Sequence, residues 1–246
     1  MSFGSPTAYD EPAAFGTRAD PFAIDAAKAD RAAFIRKTYG HLLMAVLIFC
    51  GIEGLFLSYE PLQRGLMQLI GGNWWIALIA FMGVSYVAQK WAHSDSSSPT
   101  KQYLGLGLYI VAEALIFVPL MTWASFVGEH VIPTVGLGTA IIFGGLTAVV
   151  MISGADFSFL RGALTIGMFA AIGLVICSFL FGLNLGLFFT VGMIVLMSGY
   201  ILYDTSNVLH HYRTHQHVAA SLSLFASVAT LFFYVVRLVG IFGGDE

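Results

Sequence analysis

Charge is scarce in this chain: Asp, Glu, Lys and Arg make up 10% of its 246 residues, hydrophobic residues make up 58%, and the mean hydropathy is +0.82. Soluble domains carry about 25% charged residues, so that class is excluded. The surplus of basic charge that nucleic-acid binding needs is missing as well, since the net charge is −3, and no nucleic acid is expected. Cysteine is equally sparse. Cys50 and Cys177 both fall inside apolar runs, where each reads as a small apolar residue rather than half of a disulfide or metal pair. A cleavable signal peptide is not expected either, because the first thirty residues contain Asp10, Glu11, Asp20, Asp25 and Asp30 and lack an apolar core.

What the chain has instead is long apolar runs. Seven stretches approach the roughly 20 residues that cross a bilayer: 39–58, 73–91, 103–122, 133–154, 163–182, 184–207 and 218–242. They take up well over half of the chain and leave no room for a soluble catalytic domain. The expected fold is therefore an all-α integral membrane protein, a seven-transmembrane-helix bundle. Cytoplasmic loops collect Lys and Arg. With the N-terminus inside, Arg18, Lys28, Arg31, Arg36, Lys37, Lys90, Lys101, Arg161 and Arg213 face the cytoplasm, and Arg64 alone lies in an outer loop. The N-terminus is accordingly expected to be cytoplasmic and the C-terminus outside.

Around the membrane domain at 39–242, residues 1–20 read as a flexible cytoplasmic tail poor in branched apolar residues. Residues 21–38 read as a short interfacial helix, with Phe22, Ile24, Ala27, Ala32, Phe34 and Ile35 on one loose stripe. Ser94 to Pro99 reads as a flexible link, the other loops as short. The fifth and sixth spans meet almost without a loop at Gly182 to Gly186, which demands a tight hairpin.

Polar residues within these runs need a reason. A charged side chain at the centre of a membrane helix costs about 2.5 to 3.5 kcal/mol on insertion scales. Asp204, near the cytoplasmic end of the sixth span, and Glu113, about 15 Å into the third at 1.5 Å per residue, are the candidates for function. They could share a cavity open to the cytoplasm, or Glu113 could be a protonated strut between helices. Lys90, at the inner end of the second span, is the cation expected to face Asp204. Glu53 and Arg237, near the outer ends of the first and seventh spans, are expected to snorkel outward, with a cross-bundle pair as the other option. His210, His211, His215 and His217 crowd one loop without a carboxylate or cysteine in a zinc spacing, so they read as a solvated, pH-responsive rim and no metal or other cofactor is expected.

Enzymatic readings fail on missing residues. Tyr203-Asp204 followed by Gly243-Gly244-Asp245 lacks the first glycine of an intramembrane aspartyl protease's GxGD, since Phe242 stands there. Ser198 has no histidine in the seventh span to activate it. The expectation is a protein that is not an enzyme.

Several segments taken together resemble the Bax inhibitor-1 family, also called the transmembrane BAX inhibitor motif family. They are Phe34-Ile35-Arg36-Lys37-Thr38-Tyr39, Glu113, Asp156-Phe157-Ser158-Phe159-Leu160-Arg161-Gly162, the GYILYDTSNVLH run at 199–210, and Leu222-Ser223-Leu224-Phe225. The resemblance covers about Phe34 to Phe242. It implies a bundle whose last helix is central, surrounded by the other six. It also implies, for calcium-leak members, two aspartates that share a proton and gate a cytoplasmic exit. The first maps onto Asp204. The second maps onto Ser227, and the position one turn later, often Asn, is Thr230. A single carboxylate facing a hydroxyl does not titrate as a coupled pair. The serine makes the chain look more like the YccA branch, whose members restrain an FtsH-type membrane protease. The resemblance thus implies a non-enzymatic regulator in the bacterial cytoplasmic (inner) membrane, surrounded by lipid and acting on such a protease. The alternatives are a pH-sensitive calcium or proton leak gated by Asp204, Glu113 and Ser227, and a structural subunit of a larger membrane complex.

Overall fold

The computed structural model describes residues 21–72, 74–93 and 99–243. The expected tail at 1–20, the residues 94–98 of the second link, and Gly244 and Asp245 lie outside them. Among the described residues eight helices follow one another: α1 (Lys28–Ser58), α2 (Glu60–Gly71), α3 (Trp74–Ala92), α4 (Pro99–Val127), α5 (Val131–Ser153), α6 (Leu160–Phe181), α7 (Leu187–His210) and α8 (His217–Gly243). Six of them, α1 and α4 to α8, are long and apolar enough to cross a membrane individually. The expected second span, α3, meets that standard only together with α2, and the two are bent by 94° from each other. Trp74, Trp75, Gln89, Lys90 and Trp91 dilute the apolarity of α3. This is a helical membrane protein with six or seven spans.

Three features differ from the sequence reading. First, α1 runs unbroken from Lys28 to Ser58, so most of the interfacial stretch is an extension of the first span. Only residues 21–27 stand apart, and they do so because they pair with the α7–α8 loop. Phe22 bridges Arg213 in antiparallel fashion, Ala23 N–H donates to the Tyr212 carbonyl at 2.9 Å, and the Arg213 guanidinium lies 5.4 Å from the Phe22 ring centre. Second, the α1–α3 connection holds a 12-residue helix, α2, whose Pro61 sits in its first turn, where a missing N–H costs nothing. Third, α8 is central but not ringed by six neighbours. It packs against α1, α3, α4, α5 and α7, whereas α6 packs chiefly on α7.

The core therefore forms around α8. Val218, Ala219, Ala220, Ser221, Leu224 and Leu231 on this helix are fully buried. Phe117 stacks on Phe232, and Phe49 meets both Phe117 and Phe225 edge to face, geometries that suit ring quadrupoles. Small residues let other helices approach: a Cβ on Gly105 of α4 would stand 2.6 Å from the Ala88 carbonyl oxygen of α3. Without a hydrophobic drive between helices in lipid, such close contact is what holds them. The hairpin between α6 and α7 turns at Gly182, whose φ of 65° favours glycine.

Candidate functional site

Asp204 and Ser227 face each other across the α7–α8 contact. Asp204 lies six residues before the end of α7, about 9 Å at 1.5 Å per residue, and is 8% exposed; Ser227, ten residues into α8, is 7% exposed. The Ser227 hydroxyl donates to Asp204 Oδ2 at 2.6 Å. The counter-group of the carboxylate is thus a hydroxyl, not a cation. Lys90 is exposed on α3, and no ion pair joins it to Asp204 among the described residues. The expected counter-charge is therefore not found at Asp204 among the described residues. Thr230, the other position of interest on α8, turns back to donate to the Ala226 carbonyl at 2.8 Å.

Glu113 is not part of this pair. It is 3% exposed on α4, its Oε2 has no hydrogen-bond partner among the described residues, and Tyr109 one turn earlier interacts with its carboxyl group. Helices α4 and α7 share no substantial contact, and α8 packs against both. Glu113 and Asp204 therefore sit on two helices, α4 and α7, that both pack on α8 without substantial contact with each other.

The rim where α1 begins and α7 ends ties two loops to the bundle. Asp156 Oδ1 accepts from the Ser158 N–H at 2.8 Å and from the Ser206 hydroxyl at 3.2 Å, while Ser206 Oγ accepts from the Phe157 N–H at 2.8 Å. Asp156 Oδ2 lies 3.4 Å from His211 Nε2. These donors, the Ser158 N–H first, hold the Asp156 carboxyl down at about 2. Burial pushes the Tyr212 hydroxyl above its usual range, and it meets Ser223 Oγ at 2.9 Å. Three of the four histidines go to different neighbours. His210 Nδ1 is 2.9 Å from the Ser206 carbonyl, His211 reaches Asp156, and His217 lies 3.4 Å from the Tyr103 hydroxyl, which also meets His41. No group of three or more His, Cys, Asp or Glu suited to a metal occurs among the described residues.

Glu53 corrects the sequence reading most. Rather than snorkelling, it points into the protein at 2% exposure, and neither carboxyl oxygen has a hydrogen-bond partner among the described residues. Arg237 is engaged elsewhere: its guanidinium donates to the Leu185 carbonyl and lies 5.9 Å from the Phe189 ring centre. The only signal for the inward Glu53 was its place on the stripe Leu42, Ala45, Phe49 and Glu53, one residue every three or four, which is the buried face of α1.

A polytopic helical bundle with buried carboxyl groups and a central last helix is the class of protein defined by this architecture. The family sequence model for inhibitors of apoptosis-promoting Bax1 matches residues 31–244, and the chain belongs to this Bax inhibitor-1 family. A Pseudomonas aeruginosa protein described as uncharacterised, PA2604, is 31% identical over 86% of this chain and 90% of its own length. Bax inhibitor 1 of Schizosaccharomyces pombe is 26% identical over 97% of this chain and 89% of its own. The Escherichia coli modulator of FtsH protease YccA is 34% identical over 44% of this chain and 49% of its own.

Proposed function

We propose that this protein is a non-enzymatic regulator of a bacterial inner membrane, with its N-terminus cytoplasmic, that modulates an FtsH-type membrane protease through protein contacts. The observation that carries the reading is the Ser227 to Asp204 hydrogen bond of 2.6 Å. It fills the place of a proton-sharing aspartate pair with a hydroxyl that can donate to the carboxylate but cannot exchange the excess proton of a dyad. The partial match to YccA, named as an FtsH modulator, supplies the partner class. Purification from native membranes in mild detergent should recover such a protease with the full chain. Degradation of a membrane substrate by that protease should slow when the chain is added. Recovery without any protease, and unchanged degradation, would sink the proposal.

The second reading is a pH-sensitive calcium or proton leak. It is favoured by one observation: the buried carboxyl groups Glu113 and Asp204 lie on α4 and α7, two helices that pack on the same central helix. In reconstituted liposomes it requires a pH-dependent flux that disappears in Asp204→Asn. Flux equal to that of empty vesicles removes it.

A further inference from the structure

Helices α1 and α5 both pack on α8 but make no substantial contact with each other. Between them lies a cavity of about 640 Å³, within the range of ligand sites. Its floor is formed by Phe225, Val228, Ala229 and Phe232 of α8. Its open side is edged by exposed Leu43, Cys50 and Gly54 on α1 and by Pro133 and Ala140 on α5. The lining along α1 runs from Tyr39 to Leu57, about 27 Å at 1.5 Å per residue. That is close to the roughly 30 Å hydrocarbon thickness of a bilayer. The cavity is thus a slot facing sideways, with walls that suit an alkyl chain.

Two polar groups interrupt those walls. Glu53 is the carboxylate of the slot, buried and without a hydrogen-bond partner at either oxygen among the described residues, and Thr139 of α5 is buried with its hydroxyl likewise unpartnered. Buried polar atoms without partners are rare in native proteins and point to a missing one. Glu53 stands five residues from the end of α1, about 7.5 Å along the helix, within reach of the headgroup region. A carboxylate there is complemented by a cation that also donates hydrogen bonds. A primary ammonium has three N–H donors for the two oxygens, a quaternary ammonium has none, and an anionic headgroup would be repelled.

We propose that the slot between α1 and α5 binds a phospholipid with a primary ammonium headgroup, its acyl chain lying along the slot and its ammonium meeting Glu53. The Thr139 hydroxyl then serves a polar atom of the same lipid. This site is separate from Asp204 and Ser227, neither of which lines the slot, so its test is independent of the protease reading.

The purified full chain is offered equal amounts of phosphatidylethanolamine, phosphatidylcholine and phosphatidylglycerol, and retained lipid is counted by native mass spectrometry. Phosphatidylethanolamine should be retained over either competitor by roughly tenfold, the scale of one charge-assisted hydrogen bond. Glu53→Gln should erase that preference. A phosphatidylethanolamine carrying a photoreactive acyl chain should cross-link to peptides within 39–57 and 132–143. A Cβ at Gly136 meets no atom within 4 Å, so Gly136→Leu should fold, fill the slot and abolish the cross-links while leaving Glu53 intact. Equal retention of the three lipids by the unaltered chain overturns the proposal, as does an unchanged preference in Glu53→Gln or cross-linking confined to α6. Should Glu53→Gln fail to fold, Gly136→Leu decides: a preference and cross-links that survive it overturn the proposal, and their loss supports it.

Discussion

Ser227 sets the surroundings of Asp204 because it is the donor that reaches the buried carboxyl group, at 2.6 Å. Removing one partner of a buried pair leaves the other desolvated and unmet, a loss of about 1 to 3 kcal/mol. Ser227→Ala should therefore lower the thermal unfolding midpoint in detergent, and a midpoint equal to that of the unaltered chain would show that the bond contributes nothing. Ser227→Asp asks the opposite question. It brings two carboxyl groups within bonding distance on α7 and α8, and such groups titrate as a coupled unit. The variant should gain a difference in unfolding midpoint between pH 5 and pH 8 that exceeds that of the unaltered chain. Asp204 and Ser227 were each legible from the amino-acid order as positions of interest, because a membrane-buried carboxylate and the family pattern single them out, but their bond to each other was not. Lys90 was misjudged because proximity to a span end says nothing about which way a side chain leaves the helix. Glu53 was misjudged for the same reason, in the other direction.

At the scale of elements, two local arrangements carry predictions. The close approach of α3 and α4 rests on Gly105, where any Cβ would stand 2.6 Å from one backbone atom and 3.0 Å from another. Backbone cannot swing aside as a side chain can, so Gly105→Val must separate the helices. Reduced yield of folded protein and a lower unfolding midpoint are expected, while Gly107→Val, where a Cβ meets nothing within 4 Å, should leave both unchanged. The loop before α6 is pinned to α7 through Asp156, whose carboxyl is held at about 2, below the unfolded value of roughly 3.9. A carboxyl depressed in the folded state contributes stability that is fully present above the unfolded value and is lost as pH falls through about 2. Asp156→Asn should thus be less stable than the unaltered chain at pH 7, with the gap closing on acidification towards pH 2. Because the Asp156 side chain is 44% exposed, the gap should stay below about 1 kcal/mol. Chemical denaturation of both proteins across that pH range checks the sign. The helix α2 and the pairing of residues 21–27 with the α7–α8 loop escaped the sequence reading. Amphipathic stretches of a dozen residues sit between loop and helix in apolar periodicity, and a single β-bridge leaves no periodic trace at all.

For the molecule as a whole, α8 is the hub and α6 the periphery. Ala220 on α8 is fully buried, whereas Ile166 and Phe169 on α6 are more than 70% exposed. Overpacking a filled core costs about 1 to 3 kcal/mol, so Ala220→Leu should lower the unfolding midpoint, while Ile166→Leu on the lipid-facing helix should leave it unchanged. Equal effects at the two sites would mean that α8 does not organise the bundle. Composition and the length of apolar runs were enough to establish a helical membrane protein, because a bilayer admits few other ways of satisfying backbone groups. The order of residues around Asp156, Asp204 and Leu222 was enough to point to the family. Tertiary structure alone decided that Asp204 meets a hydroxyl, that Glu113 is buried on a helix that packs on α8 but not on α7, and that Glu53 turns into a slot between α1 and α5. Hydrophobicity tells which residues leave water, but in a protein apolar on both its inner and outer faces it cannot tell which of them meet protein and which meet lipid. That choice is made only when the helices pack.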